Sequence, residues 1–249
     1  MAGHSQFKNI MHRKGAKDAK KAKIFTKVTR EIISAAKLGM PDPAVNPRLR
    51  AAMLWAREEN MPRDKIEAAI KRGSGNVDTD NFEEVRYEGY GAGGVAVIVQ
   101  ALTDNRNRSA SDIRSIFTKY SGNMGETGSV SFMFDRVGLI TYPVSVASEE
   151  AMFEAALEAG ADNCDSDAEN YSVSCSQDSF GAVRDVLEKS FGAAASAKIT
   201  WLPKTTAPVN EEQAKQLIKM VEALEDNDDV QEVFTNVEIP ESMVTSLSA

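Results

Sequence analysis

At Gly73-Ser74-Gly75-Asn76 the spacing of apolar residues changes, and this break is what most limits the folds open to the chain. Before it, Phe25, Val28, Ile32 and Ala35 fall at i, i+3, i+7 and i+10, the stripe of an amphipathic helix. Leu49, Ala52, Met53 and Ala56 supply a second stripe, and Ile66, Ala69 and Ile70 a third. After it, runs rich in β-branched residues read as strands at Glu84 to Glu88 and Val95 to Leu102. A helical module must therefore join a mixed α and β body.

Local signals set the expected boundaries. The first helix runs from Ala16 to Leu38 and stops at Gly39, before the stiff turn Pro41-Asp42-Pro43. Asn46 caps a second helix with Pro47 at its first position, and Asn60 and Pro62 separate a third that ends at Gly73. Beyond the break, a helix at Asn107 to Tyr120 and a strand at Val130 to Phe134 follow the first two strands. Next come a strand at Leu139 to Tyr142, a helix at Glu149 to Ala159, a strand at Tyr171 to Cys175, a helix at Phe180 to Phe191 and a strand at Ala197 to Leu202. A helix at Glu211 to Leu224 and a strand at Val230 to Ile239 close the chain.

That last pair has no partner of its own, while the 84–134 segment lacks the second helix and last strand of a split βαβ unit. The expectation is an α+β protein: a three-helix domain at 1–75 followed by two small α+β domains of the ferredoxin-like, split βαβ kind, one at 76–135 plus 204–249 and one at 136–203 inserted in it.

Charge divides at the same place. The 249 residues carry a net charge of −8, yet residues 1–73 hold 17 Lys and Arg against 7 Asp and Glu, or +10, which leaves −18 for the rest. A basic module on an acidic body points to a polyanion partner. Lys8, Arg13, Lys14, Lys17, Lys20, Lys21, Lys23, Lys27 and Arg30 are opposed only by Asp18 and Glu31. Pairing within the helix cannot neutralise them, and each phosphate they meet would release counterions. Lys20, Lys23, Lys27 and Arg30 share one helical face, roughly 140° from the apolar stripe, and are expected to face outward. His12 sits among these cations, and with His4 it is one of the two histidines; such an imidazole can donate to phosphate or stack on a base, or simply order an arm. Arg106 and Arg108 form a second, weaker basic point at a helix start.

Other motifs carry less. Gly89 to Val99, "GYGAGGVAVIV", precedes an apolar strand rather than a helix and lacks Gly-Lys-Ser/Thr, so Gly89, Gly91, Gly93 and Gly94 are read as a connection between strands and a contact loop, not a phosphate cradle. Asp162 to Asp167, "DNCDSD", lacks the Gly and the Glu of a calcium loop, with Ala168 and Ser174 at those places, and reads as a polar helix exit. Glu58-Glu59 and Glu83-Glu84 are neighbours whose side chains diverge. No nucleophile motif or metal-ligand pattern is present, so no enzyme, cofactor, metal or small-molecule substrate is expected. Cys164 and Cys175 form no C-x-x-C, which fits a reducing compartment. A basic transit peptide is disfavoured, because the lysines run straight into a patterned helix, and no apolar run reaches the ~18 residues of a membrane span. A cytoplasmic protein is expected.

Long segments resemble a known family. "MAGHSQFKNIMHRKGAKDAKKAKIFTKVTREI" (1–32), "NPRLRAAM" (46–53), "NMPRDKIEAAIKRGSG" (60–75), "YEGYGAGGVAVIVQALTDNRNRSASDIR" (87–114) and "GSVSFMF" (128–134) are similar to the YebC family, which includes the mitochondrial translational activator of cytochrome c oxidase. The chain departs from the family pattern at Gln6-Phe7, Met11, Gly39-Met40 and Ala92. The resemblance implies three domains with the helical head first. It also implies a nucleic-acid partner: DNA, for a transcriptional regulator, or ribosomal RNA within the ribosome, for a factor that relieves stalling at proline-rich stretches. A third reading, an adaptor whose acidic domains bind protein, is also open. Because the lysines grip phosphate and few Asn, Gln or Arg are placed for base contacts, recognition of shape suits this head better than reading of an operator.

Overall fold

The computed structural model describes residues 17–75, 81–240 and 243, with side chains from residue 21 onward. Three helices build the head: α1 (Lys17–Leu38), α2 (Pro47–Glu58) and α3 (Arg63–Ser74). Val28, Ile32, Ile33, Leu49, Ala52, Ala56, Ile66 and Ala69 form its core. One side chain closes two helix ends here. Asn46 Oδ1 accepts from Leu49 N at the start of α2, while its Nδ2 donates to the Ala35 and Met40 carbonyls at the end of α1. Gly73 lets α3 approach α1, since a Cβ there would lie 2.5 Å from the Ile33 carbonyl oxygen.

The body begins with β1 (Glu83–Tyr90), β2 (Ala96–Thr103), α4 (Arg106–Lys119) and β3 (Asn123–Met124). Strands β1 and β2 are antiparallel, and β3 joins the far edge of β1, so β2, α4 and β3 make a split βαβ unit around β1. The chain then leaves to build a second sheet from β4 (Phe134–Pro143), α5 (Glu149–Glu158), β5 (Asn163–Ser166), β6 (Asn170–Cys175), α6 (Phe180–Phe191) and β7 (Ser196–Pro203). Its order, β5-β6-β4-β7, with every neighbour antiparallel, is ferredoxin-like. Ile140, Tyr142, Met152, Tyr171, Val173, Val183 and Leu187 fill the space beneath its two helices.

On its return the chain forms β8 (Ala207–Pro208), α7 (Glu211–Glu225), β9 (Val230–Thr235) and β10 (Val237–Glu238). Strand β9 pairs antiparallel with β2 and completes the first sheet as β3-β1-β2-β9. The third domain is thus inserted in the second. Val97, Val99 and Ala101 of β2 pack under α4 and α7, while Ala96 and Ile98 face Phe134 and Trp201 of the inserted sheet. Both faces of β2 are covered, which is why its sequence is apolar at successive positions from Ala96 to Val99 and again at Ala101 and Leu102.

The structure differs from the expected elements in three places. Val130 to Phe134 is not a strand: Ser131–Met133 is a 3-10 turn, because the buried Glu88 carboxylate accepts from the Val130 and Ser131 amides at 2.9 and 2.8 Å. Asp162 to Asp167 is not a helix exit but contains the edge strand β5, where Asp165 suits a strand that must not pair with another chain. The expected strand Val230 to Ile239 breaks at Asn236, whose Oδ1 accepts from Ala96 N at 2.8 Å.

The helix contact at Gly73 gives a direct test. Gly73→Ala should push α1 and α3 apart and destabilise the protein by about 1 to 3 kcal/mol in urea unfolding, whereas the same change at the open position Gly181 should be nearly neutral.

Candidate nucleic-acid interface

Helix α7 carries Glu211 and Glu212 in its first turn, where its dipole favours them, but has no basic residue in its last turn. That end is followed by Asp226, Asp228 and Asp229, beside the carbonyls of the final turn. The missing cations come from the head. Lys27 Nζ donates to the Glu225 carbonyl at 2.6 Å, Lys23 lies 3.1 Å from Asp226, and Arg30 donates to the Asp228 carbonyl at 2.6 Å. Lys27 is only 7% exposed, and this burial lowers its pKa against the opposing pull of Glu225, Asp226 and Asp228.

Asp229 gathers the remaining bonds. It is 3% exposed, and its carboxylate accepts from Arg30 at 2.5 Å, from Ser109 Oγ at 2.6 Å, from Arg108 at 3.0 Å and from Thr103 Oγ1 at 3.2 Å. Burial alone would raise its pKa, but the bonds from Ser109, Arg108 and Arg30 more than offset this and hold it below the usual carboxylate range. A second tie lies alongside: Arg48 makes a two-pronged pair with Glu31 within the head and reaches Glu84 of β1 at 2.6 Å.

The basic face expected to point outward is therefore corrected. Lys23, Lys27 and Arg30 meet the acidic end of α7, and Arg108, expected as a separate contact, shares the Asp229 carboxylate with Arg30. Arg106 is exposed, 3.8 Å from Glu83. Lys17 and Lys20 lie on α1 without described side chains, and Lys8, His12, Arg13 and Lys14 lie outside the described residues. The glycine loop is also corrected. Gly89 is a β1 residue where a Cβ would lie 2.5 Å from the Asn123 carbonyl oxygen, and Gly91 packs on Leu217 and Met220. Only Gly93 and Gly94, at φ of 75° and 74°, reach the surface, so half of the expected contact loop is buried packing.

Cations remain on the rest of the head. Lys21, Arg50, Arg57, Lys65 and Lys71 are exposed, and none has a carboxylate partner among the described residues. Lys21 and Lys65 flank the Phe25 ring, 5.7 and 5.5 Å from its centroid. With Arg72 and Phe82 they line a groove of about 750 Å³ between α1, α3 and the start of the body. The sequence reading named Lys21 but missed Lys65, Arg72 and Phe25, although Lys65 and Arg72 sit seven residues apart on one helical face and Lys21 and Phe25 four apart on another.

The geometry defines a three-domain α+β protein with a basic helical head latched onto an acidic body. Residues 5–76 match the family described as the TACO1/YebC protein N-terminal domain, and residues 82–237 match the TACO1/YebC second and third domain. The chain belongs to the TACO1/YebC family. It is also similar to a conserved hypothetical protein, Aq1575, from Aquifex aeolicus, whose crystal structure is 47% identical and superposes with a TM-score of 0.81 over 90% of this chain and 93% of that one. Among the described residues there is no group of three or more metal-ligating side chains, and no helix is long and apolar enough to cross a membrane.

The Asp229 latch has a pH signature. A depressed carboxyl pKa contributes stability that is fully present above the ordinary value near 3.9 and is lost as pH falls through the folded value. Asp229→Asn should destabilise the protein by roughly 3 to 5 kcal/mol at neutral pH, because two arginines lose their buried partner, and should flatten the fall in stability below about pH 4. Unfolding curves across pH 2 to 7 would show both effects.

Proposed function

We propose that this protein is a non-enzymatic, nucleic-acid-binding regulator of gene expression that holds its target through the head. The observation that carries this is the charge left over once the domains have docked. The acidic body takes up Lys23, Lys27 and Arg30, yet Lys21, Arg50, Arg57, Lys65 and Lys71 stay exposed with no carboxylate partner among the described residues. A surface of this kind attracts phosphates and gives affinity without reading bases. The remaining acidic surface repels the same phosphates, so the head alone makes the approach.

Duplex DNA, in a transcriptional regulator of the kind the family resemblance suggests, is the first target to test; ribosomal RNA, in a translation factor, is the second. The adaptor reading draws on one feature of the inserted domain. Phe153 and Leu157, one turn apart on α5, are 55% and 68% exposed among acidic residues, a surface suited to a basic protein segment.

Co-sedimentation with ribosomes and binding to duplex DNA, compared at one physiological salt concentration, decide among these. The triple change Lys21→Glu, Lys65→Glu and Lys71→Glu should weaken nucleic-acid binding more than tenfold and reduce its salt dependence by about two to three in log–log slope for a duplex. The triple change Lys23→Glu, Lys27→Glu and Arg30→Glu should act first on stability, by separating head from body. Absence of binding to both DNA and ribosomes in the unaltered protein would overturn the reading.

A further inference from the structure

The groove on the head holds more than charge. Phe25 is only partly buried against the head core, and its ring stands between two exposed ammonium groups that have no carboxylate partner among the described residues. Phe82 also lines the groove, with the Arg30 guanidinium 5.5 Å from its ring centroid. Asp104, the carboxylate on the described wall, is already held by Arg108 at 2.7 Å. The result is a positively charged trough, about 750 Å³ in volume, with two aromatic rings in its lining.

We propose that this groove seats an unpaired stretch of a nucleic-acid strand, with a base against Phe25 and its flanking phosphates on Lys21 and Lys65. The proposal rests on the nucleic-acid reading above and narrows it to a strand form. A duplex offers phosphates to any basic surface but keeps the faces of its bases covered, so an aromatic in a groove gains contact only with a splayed base. The lysines fit this exchange. An exposed ammonium gains little from a ring, and when a base takes that ring the same ammonium can swing to the neighbouring phosphate, where attraction is stronger. The volume lies within the range that encloses a ligand of a few rings. RNA and single-stranded DNA share this chemistry.

The test uses the full chain and fluorescence anisotropy with a labelled uridine decamer, a thymidine decamer and duplex DNA. Phe25→Leu, which keeps apolar volume against the core, should weaken decamer binding roughly fivefold or more. Duplex binding should stay within about twofold of the unaltered protein, since phosphates alone carry it. Phe25→Trp should restore the decamers. The double change Lys21→Gln and Lys65→Gln should lower the salt slope for the decamers by about 1.4, two phosphate contacts on a single strand. Tighter binding of the uridine decamer identifies RNA as the source, and tighter binding of thymidine identifies DNA. Unaltered decamer affinity in Phe25→Leu, or an equal loss on duplex, overturns the proposal, as does an unchanged salt slope in the lysine variant, which decides the matter should Phe25→Leu fail to fold. Duplex or ribosome binding by a protein that binds neither decamer would overturn the groove and leave the broader reading standing.

Discussion

Four elements of this protein are positioned by one buried carboxylate. Asp229 precedes β9 at the edge of the first sheet, and it receives a hydroxyl from β2, another from α4, a guanidinium from the start of α4 and a guanidinium from the head. Its own carbonyl accepts from Leu102 N at 2.7 Å, so the backbone that carries it is fixed as well. A buried charge is tolerable only when several donors surround it. Here those donors come from two domains, and the orientation of the head follows from satisfying one side chain.

The inserted domain is held by a different device. The chain passes from the first sheet into β4 through a 3-10 turn pinned by Glu88, 1% exposed, whose carboxylate takes two amides and lies 2.8 Å from Arg86 Nε. Burial raises the Glu88 pKa, but the amide bonds outweigh it and keep the group ionised. Arg86 in turn lies against Trp201 of β7, 5.2 Å from the ring centroid, with Arg136 of β4 at 5.8 Å. Trp201 packs with Phe134, Phe234, Ile98 and Ala96, so the far face of the first sheet is closed by the domain it hosts. The insertion therefore completes a core that the host sheet would otherwise leave open.

Helices were legible where one apolar stripe stands alone, and β2 where a run of apolar residues serves two cores. α2, α3, α6 and β2 lie close to the stretches that Leu49, Ile66, Phe180 and Val95 announce. The failures share a physical cause, which is that a long-range polar bond overrode a local pattern. Glu88 captures amides that a strand at 130–134 would have used, some 42 residues away, and the Asn236 side chain replaces a ladder bond at Ala96 across 140 residues. The lysine stripe failed in the same way. Its period correctly grouped Lys23, Lys27 and Arg30 on one face, but no local signal says what a face will meet, and its partner lies 198 residues further on at Glu225. Both halves of that contact were visible as charge runs of opposite sign. Only their pairing was not.

That pairing changes what a +10 head can offer. The cations best ordered for gripping are those the body holds, with Lys27 buried and Arg30 18% exposed on its side chain, while those left outside are long, solvated side chains on α1, α2 and α3. Solvated lysines give attraction with little orientation. Orientation must then come from shape and from rings, and the place where ring, cation and concavity coincide is beside Arg30 itself. The residue that latches the head to the body, Arg30, also lines the groove, so the Asp229 latch fixes one wall of that concavity.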